Sequence, residues 1–177
     1  MSRALGYIAF SAGLTIAVTL STMAFGHGKA TGIVKERMES MVVLRDAAKA
    51  LGGMMKGATP YDAEAVRAHA KSIREHSGDA LTAKFPEGTG SRPSEARDEI
   101  WTEWEEFKRL AGQLESLADG LREAAGNGLM KDMSGHSMDH GDHLDPAMLA
   151  AMPADGVFMM IGKTCSACHE KFRQKMD

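Results

Sequence analysis

Residues 100–121 read IWTEWEEFKRLAGQLESLADGL and carry the most regular apolar pattern of the chain. Their apolar positions recur at alternating spacings of four and three residues, which places them on one face of an α-helix. These positions are Ile100, Trp104, Phe107, Ala111, Leu114, Ala118 and Leu121. The pattern predicts an amphipathic helix within residues 94–125.

Three further segments repeat this spacing, so four helices are predicted in all. They are residues 29–57, with Val34, Met38, Met41, Arg45 and Ala48; residues 62–80, with Val66, Ala70, Ile73, Ser77 and Ala80; and residues 155–175, with Phe158, Ile161, Cys165, Cys168 and Phe172. Each helix has one apolar stripe to bury against the others. The sequence therefore predicts an all-α, antiparallel four-helix bundle.

Residues between and within the helices give further expectations. Asp62 is predicted to cap the start of the second helix, and Ser94 the start of the third, because both side chains can accept backbone N–H bonds. Gly112 and Gly120 lie inside the third helix, where glycine costs about 1 kcal/mol relative to alanine. They suggest a close approach of a neighbouring helix or a bound group.

The chemistry of the chain is concentrated in residues 165–169, which read CSACH. Two cysteines three apart with a histidine after the second are typical of covalent c-type haem attachment. On a helix, Cys165, Cys168 and His169 project from one face, so both thiols reach one porphyrin while the imidazole reaches its iron. Because both cysteines lie on the apolar stripe of the fourth helix, the haem is predicted to sit against the bundle core.

Other roles of a CxxC pair fit this chain less well. A thioredoxin-like pair is expected beside a βαβ pattern, and no strand-like alternation flanks residues 165–168. A structural zinc site needs four ligands, and the chain has only two cysteines. A disulfide between residues three apart would close too small a loop to stabilise much.

The N-terminus is typical of a secretory signal peptide. A short basic start, Met1-Ser2-Arg3, precedes the uncharged residues 4–20, and small residues follow as far as Gly26. We predict a signal peptide at residues 1–24, cleaved near residues 24–26, and a single mature domain at 27–177. An uncleaved anchor helix is the alternative, although an apolar run of about 17 residues is at the lower limit for crossing a bilayer. Export to the periplasm agrees with c-type haem, which is attached outside the cytoplasm.

With its CxxCH on the last helix of a predicted four-helix bundle, the chain resembles the cytochrome c′-type (class II) c cytochromes. The resemblance covers nearly the whole mature chain. It rests on CSACHEKFR at 165–173, on Arg37 with Met41 in the first helix, on KGATPYD at 56–62 and on IWTEWEEF at 100–107.

The resemblance implies a role for particular residues. One haem c would be held through Cys165 and Cys168, with His169 as the proximal ligand of its iron. Arg37 would meet a haem propionate, a charge-assisted pair. Arg173 would lie alongside His169.

Met41 lies one helical turn after Arg37 and matches the distal position of the family. The chain is most similar to low-spin members with a distal methionine, in which a His/Met iron suits electron transfer. Five-coordinate members carry an apolar blocker there and can bind a small gas such as nitric oxide, and core filling by Met41 is a further alternative. Met38 is expected to pack in the core, and His69 and His76 rank below Met41 as distal ligands.

The segment between the third and fourth predicted helices, residues 126–153, is longer than in the family pattern. It includes a stretch rich in histidine, methionine and aspartate. The candidate copper ligands there are Met130, Met133, His136, Met138, His140 and His143. Thioether and imidazole groups suit Cu(I) and Cu(II). The alternative is a solvated insertion with incidental metal affinity.

These observations predict a periplasmic, monohaem electron carrier with His169 and Met41 on the iron, and not an enzyme, because no catalytic constellation is visible. The alternatives are a five-coordinate gas-binding cytochrome c′ and a copper-handling protein. A net charge of −3 does not favour binding to nucleic acid. Redox proteins are the expected partners, a homodimer stays open, and no stable membrane insertion is expected after cleavage of the leader.

Overall fold

The computed structural model describes residues 30–130 and 145–174. Their regular secondary structure is helical, apart from one isolated antiparallel bridge between Ala96 and Arg173. The four long helices are α1 (Gly32–Met55), α2 (Ala63–Glu75), α5 (Trp104–Ala124) and α7 (Ala154–Phe172). The three short ones are α3 (Gly78–Thr82), α4 (Glu99–Thr102) and α6 (Pro146–Ala151). The predicted signal peptide, residues 1–24, lies outside the described residues.

The long helices form the predicted bundle. Helix α5 packs against α2 and α7, and α1 packs against the same two helices from the other side. The stripe predicted for the third helix begins at Ile100 in α4 and continues along α5. It is buried at every position except Trp104, which is half-buried. The all-α four-helix bundle is therefore confirmed.

The apolar stripe predicted on α1 is not the face that is buried in the bundle, so this prediction was wrong. The buried residues of α1 are Arg37, Ser40, Ala47, Leu51 and Met54. The predicted stripe lies beside this face, and its five residues are half-buried or exposed. The reason is that α1 has two apolar faces, one against the core and one against a cavity described below.

The third helix begins later than predicted, and Ser94 does not cap it. The Ser94 hydroxyl accepts the backbone N–H of Ala96 at 3.1 Å and a guanidinium N–H of Arg37 at 2.8 Å. The hydroxyl is thus used in a local turn and by a buried cation. The predicted third helix is instead two helices, the short α4 from Glu99 and, after a break at Glu103, α5 from Trp104. The Asp62 cap is confirmed, since its carboxylate accepts the backbone N–H of Glu64 at 2.9 Å.

Of the two glycines inside α5, one allows the close approach that was expected. A Cβ at Gly120 would lie 2.7 Å from Leu149 of α6, whereas a Cβ at Gly112 would meet nothing within 4 Å. Helix α6 itself was not predicted. It begins after Asp145, whose carboxylate accepts the N–H groups of Ala147 and Met148.

The buried apolar residues form two clusters. The closed core has seventeen: Ala47, Leu51, Met54, Val66, Ala70, Ile73, Leu114, Leu117, Ala118, Leu121, Ala124, Ala125, Leu149, Met152, Ala154, Val157 and Ile161. The cavity core has eight: Leu81, Phe85, Ala96, Ile100, Phe107, Leu110, Ala111 and Phe172. In the described part of the chain, no helix has the length and apolarity needed to cross a membrane.

Candidate haem site

A cavity of about 470 Å³ lies between α1, α5 and α7. It is lined by all six residues that the sequence singled out for the haem: Arg37, Met41, Cys165, Cys168, His169 and Arg173. Helix α1 forms one wall of the cavity. The end of α7 contributes the two thiols and the imidazole. A space of this size lies within the usual range for small-molecule and cofactor sites.

The two cysteines are free, half-buried thiols on the cavity wall. Burial raises the pKa of Cys165. Burial, together with the neighbouring Cys165, raises the pKa of Cys168 to about 11. Both thiols are therefore neutral at pH 7, in keeping with a low-dielectric wall.

His169 lies in the last turn of α7 and lines the cavity. Partial burial lowers its pKa, the positive charge of Arg173 lowers it further, and the Glu95 carboxylate partly offsets these effects. A lowered pKa favours the neutral imidazole, which is the form that ligates a metal.

Arg173 follows His169 by one turn and is tied to the segment before α4. Its Nε donates to the Glu95 carboxylate at 2.7 Å. The backbone N–H of Gln174 donates to the Glu95 carbonyl at 2.8 Å, and that of Arg97 donates to the Phe172 carbonyl at 3.0 Å. Glu95 also lines the cavity. No local pattern predicts its role, because its contact with Arg173 joins segments 78 residues apart.

Arg37 is only 4% exposed, and all five of its N–H donors are used. They go to the Lys84 carbonyl, to the carbonyl and hydroxyl of Thr89 and to the Ser94 hydroxyl, at 2.7–3.2 Å. The guanidinium carbon also lies 4.0 Å from the centroid of the Phe85 ring. Desolvation lowers the pKa of Arg37. Its partners within the described residues are all uncharged.

Met41 lines the cavity and packs against the cavity core, as Cys168 does. Met38 lines the cavity as well, so it is a wall residue and not closed-core filling. The two histidines considered as alternative distal ligands do not line the cavity. One of them, His76, has its Nδ1 2.9 Å from the Ser72 carbonyl oxygen.

A sequence model described as cytochrome C′ matches residues 32–143. A cytochrome c′ from Pararhodospirillum photometricum is 33% identical over 142 residues, which cover 80% of this chain and 95% of that relative. The chain belongs to the cytochrome c′ family. A cytochrome c-556 of Agrobacterium tumefaciens (strain II Chrys) is 30% identical over 81% of this chain and 98% of its own length.

The fold of the family is the one observed. The nitric oxide complex of a variant cytochrome c prime from Alcaligenes xylosoxidans matches with a TM-score of 0.60 and 26% identity, over 81% of this chain and 94% of that structure. The likeness spans the bundle and agrees with the helical architecture described above.

The residues of the cavity fit the haem c of the cytochrome c′ family by their chemistry. Two neutral thiols and an imidazole stand on one helix wall, in the order that thioether bonds and iron ligation require. On the α1 wall, Arg37 is a buried cation without a carboxylate partner among the described residues, which suits an anionic haem edge. A propionate contact would require Arg37 to share an N–H with its present partners, so that contact stays a prediction.

The candidate copper segment falls largely outside the described residues. Of its six candidate ligands, only Met130 is described, and its backbone N–H donates to the Asp155 carboxylate at 3.0 Å. Residues 30–130 and 145–174 contain no cluster of three or more His, Cys, Asp or Glu side chains suited to a metal ion. Copper binding at Met133, His136, Met138, His140 and His143 stays a prediction.

Proposed function

We propose that the protein holds one haem c in the cavity, bonded to Cys165 and Cys168 and ligated by His169, and that it binds a small diatomic gas on the opposite face. The observation that carries the proposal is the shared cavity: both thiols, the imidazole and the wall around Met41 line one space. When bound, haem c would supply an iron that takes an imidazole ligand and can bind a gas or exchange an electron.

The chain's own residues divide this work between two walls. Helix α7 fixes Cys165, Cys168 and His169 at the spacing that one macrocycle needs. Helix α1 contributes Met38 and Met41, whose apolar, adaptable side chains exclude water from the far side of the cavity. The gas-binding role is supported by the solved relative, a cytochrome c prime variant in complex with nitric oxide.

Electron transfer with His169 and Met41 both on the iron is the second candidate. It is favoured by the position of Met41, the thioether that lies one turn after Arg37 on the cavity wall. A His/Met ligand set leaves no vacancy and raises the reduction potential, which suits a carrier. Relatives named cytochrome c-556 and c-554 are also similar to this chain.

Both candidates share further inferences from the sequence. Residues 1–24 serve as a signal peptide, the mature protein works in the periplasm, and residues 27–177 are one cytochrome domain. The protein serves as a haem-bearing gas binder or electron carrier and not as an enzyme. Redox proteins are its partners under the second candidate, and a homodimer stays a prediction.

The absorption spectrum of the ferrous holoprotein, with and without carbon monoxide, separates the two candidates. Under the gas-binding proposal, we expect a broad high-spin spectrum that shifts when carbon monoxide is added. A sharp low-spin α band that does not respond to carbon monoxide would contradict gas binding and support the electron carrier.

The variant Met41→Leu assigns the distal position. Under the gas-binding proposal, the spin state stays high and only the affinity for carbon monoxide changes, because leucine has a similar volume and no ligating sulfur. Under the carrier candidate, the same substitution converts a low-spin spectrum to a high-spin one. Met38→Leu is the matched control, since Met38 lines the same wall three residues earlier and should leave the spin state unchanged in either case.

A further inference from the structure

The end of α7 carries a charge pair whose two members both line the cavity. Arg173 is the C-cap residue of α7, and its N–H donates to the carbonyl of His169 at 3.2 Å. Its guanidinium meets the Glu95 carboxylate at 2.7 Å. The acid is the less exposed partner, at 31% against 51% for the arginine.

Backbone bonds hold this pair in place, unlike an ordinary surface ion pair between two mobile side chains. The bridge between Ala96 and Arg173 aligns the two segments, and Gln174 donates its N–H to the Glu95 carbonyl. The side chain of Gln174 adds a bond to the Ala96 carbonyl at 3.2 Å. These bonds keep the backbones of the two segments side by side, so only the side chains of Glu95 and Arg173 have to order for the pair to form.

A second ion pair near the end of α7 differs in one respect. Lys171 pairs with Glu103, at a similar exposure and two residues from His169. Neither Lys171 nor Glu103 lines the cavity. The chain thus offers a pair that faces the site and a matched pair that does not.

We propose that Glu95 is a positioning residue that sets the charge on the His169 side of the haem by neutralising and orienting Arg173. This inference rests on the haem binding proposed above. A lone guanidinium beside His169 disfavours positive charge at the iron, so it favours the ferrous form. The Glu95 carboxylate cancels that effect and favours the ferric form, because it lies in the same partly desolvated wall.

The test is a redox titration of the holoprotein followed by its absorption spectrum. Glu95→Gln keeps the shape of the side chain and removes its charge, so we expect a higher midpoint potential. At a fixed solution potential, the ratio of ferrous to ferric protein should rise roughly threefold, the effect of one partly screened charge. Arg173→Gln should shift the potential in the opposite direction, and the double variant should return close to the wild type.

Glu103→Gln is the matched control, since it changes the net charge by the same amount and breaks an ion pair to the same helix end. Its potential should stay close to that of the wild type. Equal shifts in Glu95→Gln and Glu103→Gln would overturn the proposal, because overall charge would then be the cause. Shifts of the same sign in Glu95→Gln and Arg173→Gln would also overturn it, since loss of a structural tie explains that result.

Haem content keeps this inference separate from the proposed function. A wild-type chain that acquires no covalent haem, in a host that attaches c-type haem, contradicts the proposed function and removes the basis of the inference. A fully loaded Glu95→Gln protein with an unshifted potential overturns the inference alone. The opposite charge change in Arg173→Gln supplies an independent measurement if Glu95→Gln attaches haem poorly.

Discussion

The closed core and the cavity core divide the bundle into two unlike ends. All eight residues of the cavity core line the cavity, whereas Leu114 is the single member of the closed core that does so. The closed core is mainly aliphatic, and its helices meet one another directly. One end of the bundle is thus filled by its own side chains, while the other end surrounds a cavity.

The cavity end is held by aromatic and polar contacts instead of aliphatic packing. Phe107 is central, with its ring centroid 4.8 Å from that of Phe85 and 5.4 Å from that of Phe172. The Trp101 indole N–H donates to the Phe85 carbonyl at 2.9 Å. Arg37 fixes the carbonyls and hydroxyls of residues 84–94 on the other side. These directional contacts hold the residues around the cavity in place without filling the cavity.

The largest expected effect belongs to the closed core. Leu117 is fully buried there, and Leu117→Ala should lower the free energy of unfolding by about 3 kcal/mol, from lost burial and an unfilled cavity. Chemical unfolding of the holoprotein measures this loss, and the haem spectrum should stay unchanged because Leu117 does not line the site.

Met159→Ala is the control for Leu117→Ala, since Met159 is 38% exposed on α7. It should change the free energy of unfolding by less than about 0.5 kcal/mol. A loss at Leu117 as small as this would mean that the closed core contributes little to stability, and the contrast between the two ends would fail.

The second prediction concerns the cavity end and its buried cation. Arg37→Met keeps an unbranched apolar stem but leaves the carbonyls of Lys84 and Thr89 without their donors, which should cost about 2 kcal/mol. Because those partners are all in residues 84–94, hydrogen exchange should rise there first, while the amides of the closed core stay protected.

Arg37→Lys sharpens this prediction, because a lysine ammonium has three donors and cannot reproduce the five-donor fork. We expect partial protection of residues 84–94 in this variant. An equal loss of protection at both ends of the bundle would contradict the distinction between the closed core and the cavity core.

The bundle and the haem motif were predictable because both are local patterns. The stripe of α5 repeats every three or four residues, and Cys165, Cys168 and His169 stand within five residues of one another. Asp62 was predictable for the same reason, as a cap acts on its own first turn. Such signals need no knowledge of what lies across the fold.

The errors arose where a distant segment decided the outcome. On α1, the apolar stripe around Met41 faces the cavity, and burial falls instead on a face that includes Arg37 and Ser40. Periodicity does not reveal which of two apolar faces meets the core. The local sequence predicts a cap at Ser94, but its hydroxyl bonds to Arg37, which lies 57 residues earlier in the chain. Glu95 has no local signal either, because its partner Arg173 lies 78 residues later.

The smallest expected effect compares one substitution at two positions of α5. Gly120→Ala places a Cβ 2.7 Å from Leu149 of α6, so α6 must shift, and the strain should outweigh the gain in helix propensity by about 1 kcal/mol. Gly112→Ala meets nothing within 4 Å and should stabilise the protein by about 1 kcal/mol. Thermal unfolding should therefore shift the two melting temperatures in opposite directions. If both melting temperatures shift in the same direction, α6 moves away from the added Cβ at little cost. The closed core would then be loosely packed where α6 covers it.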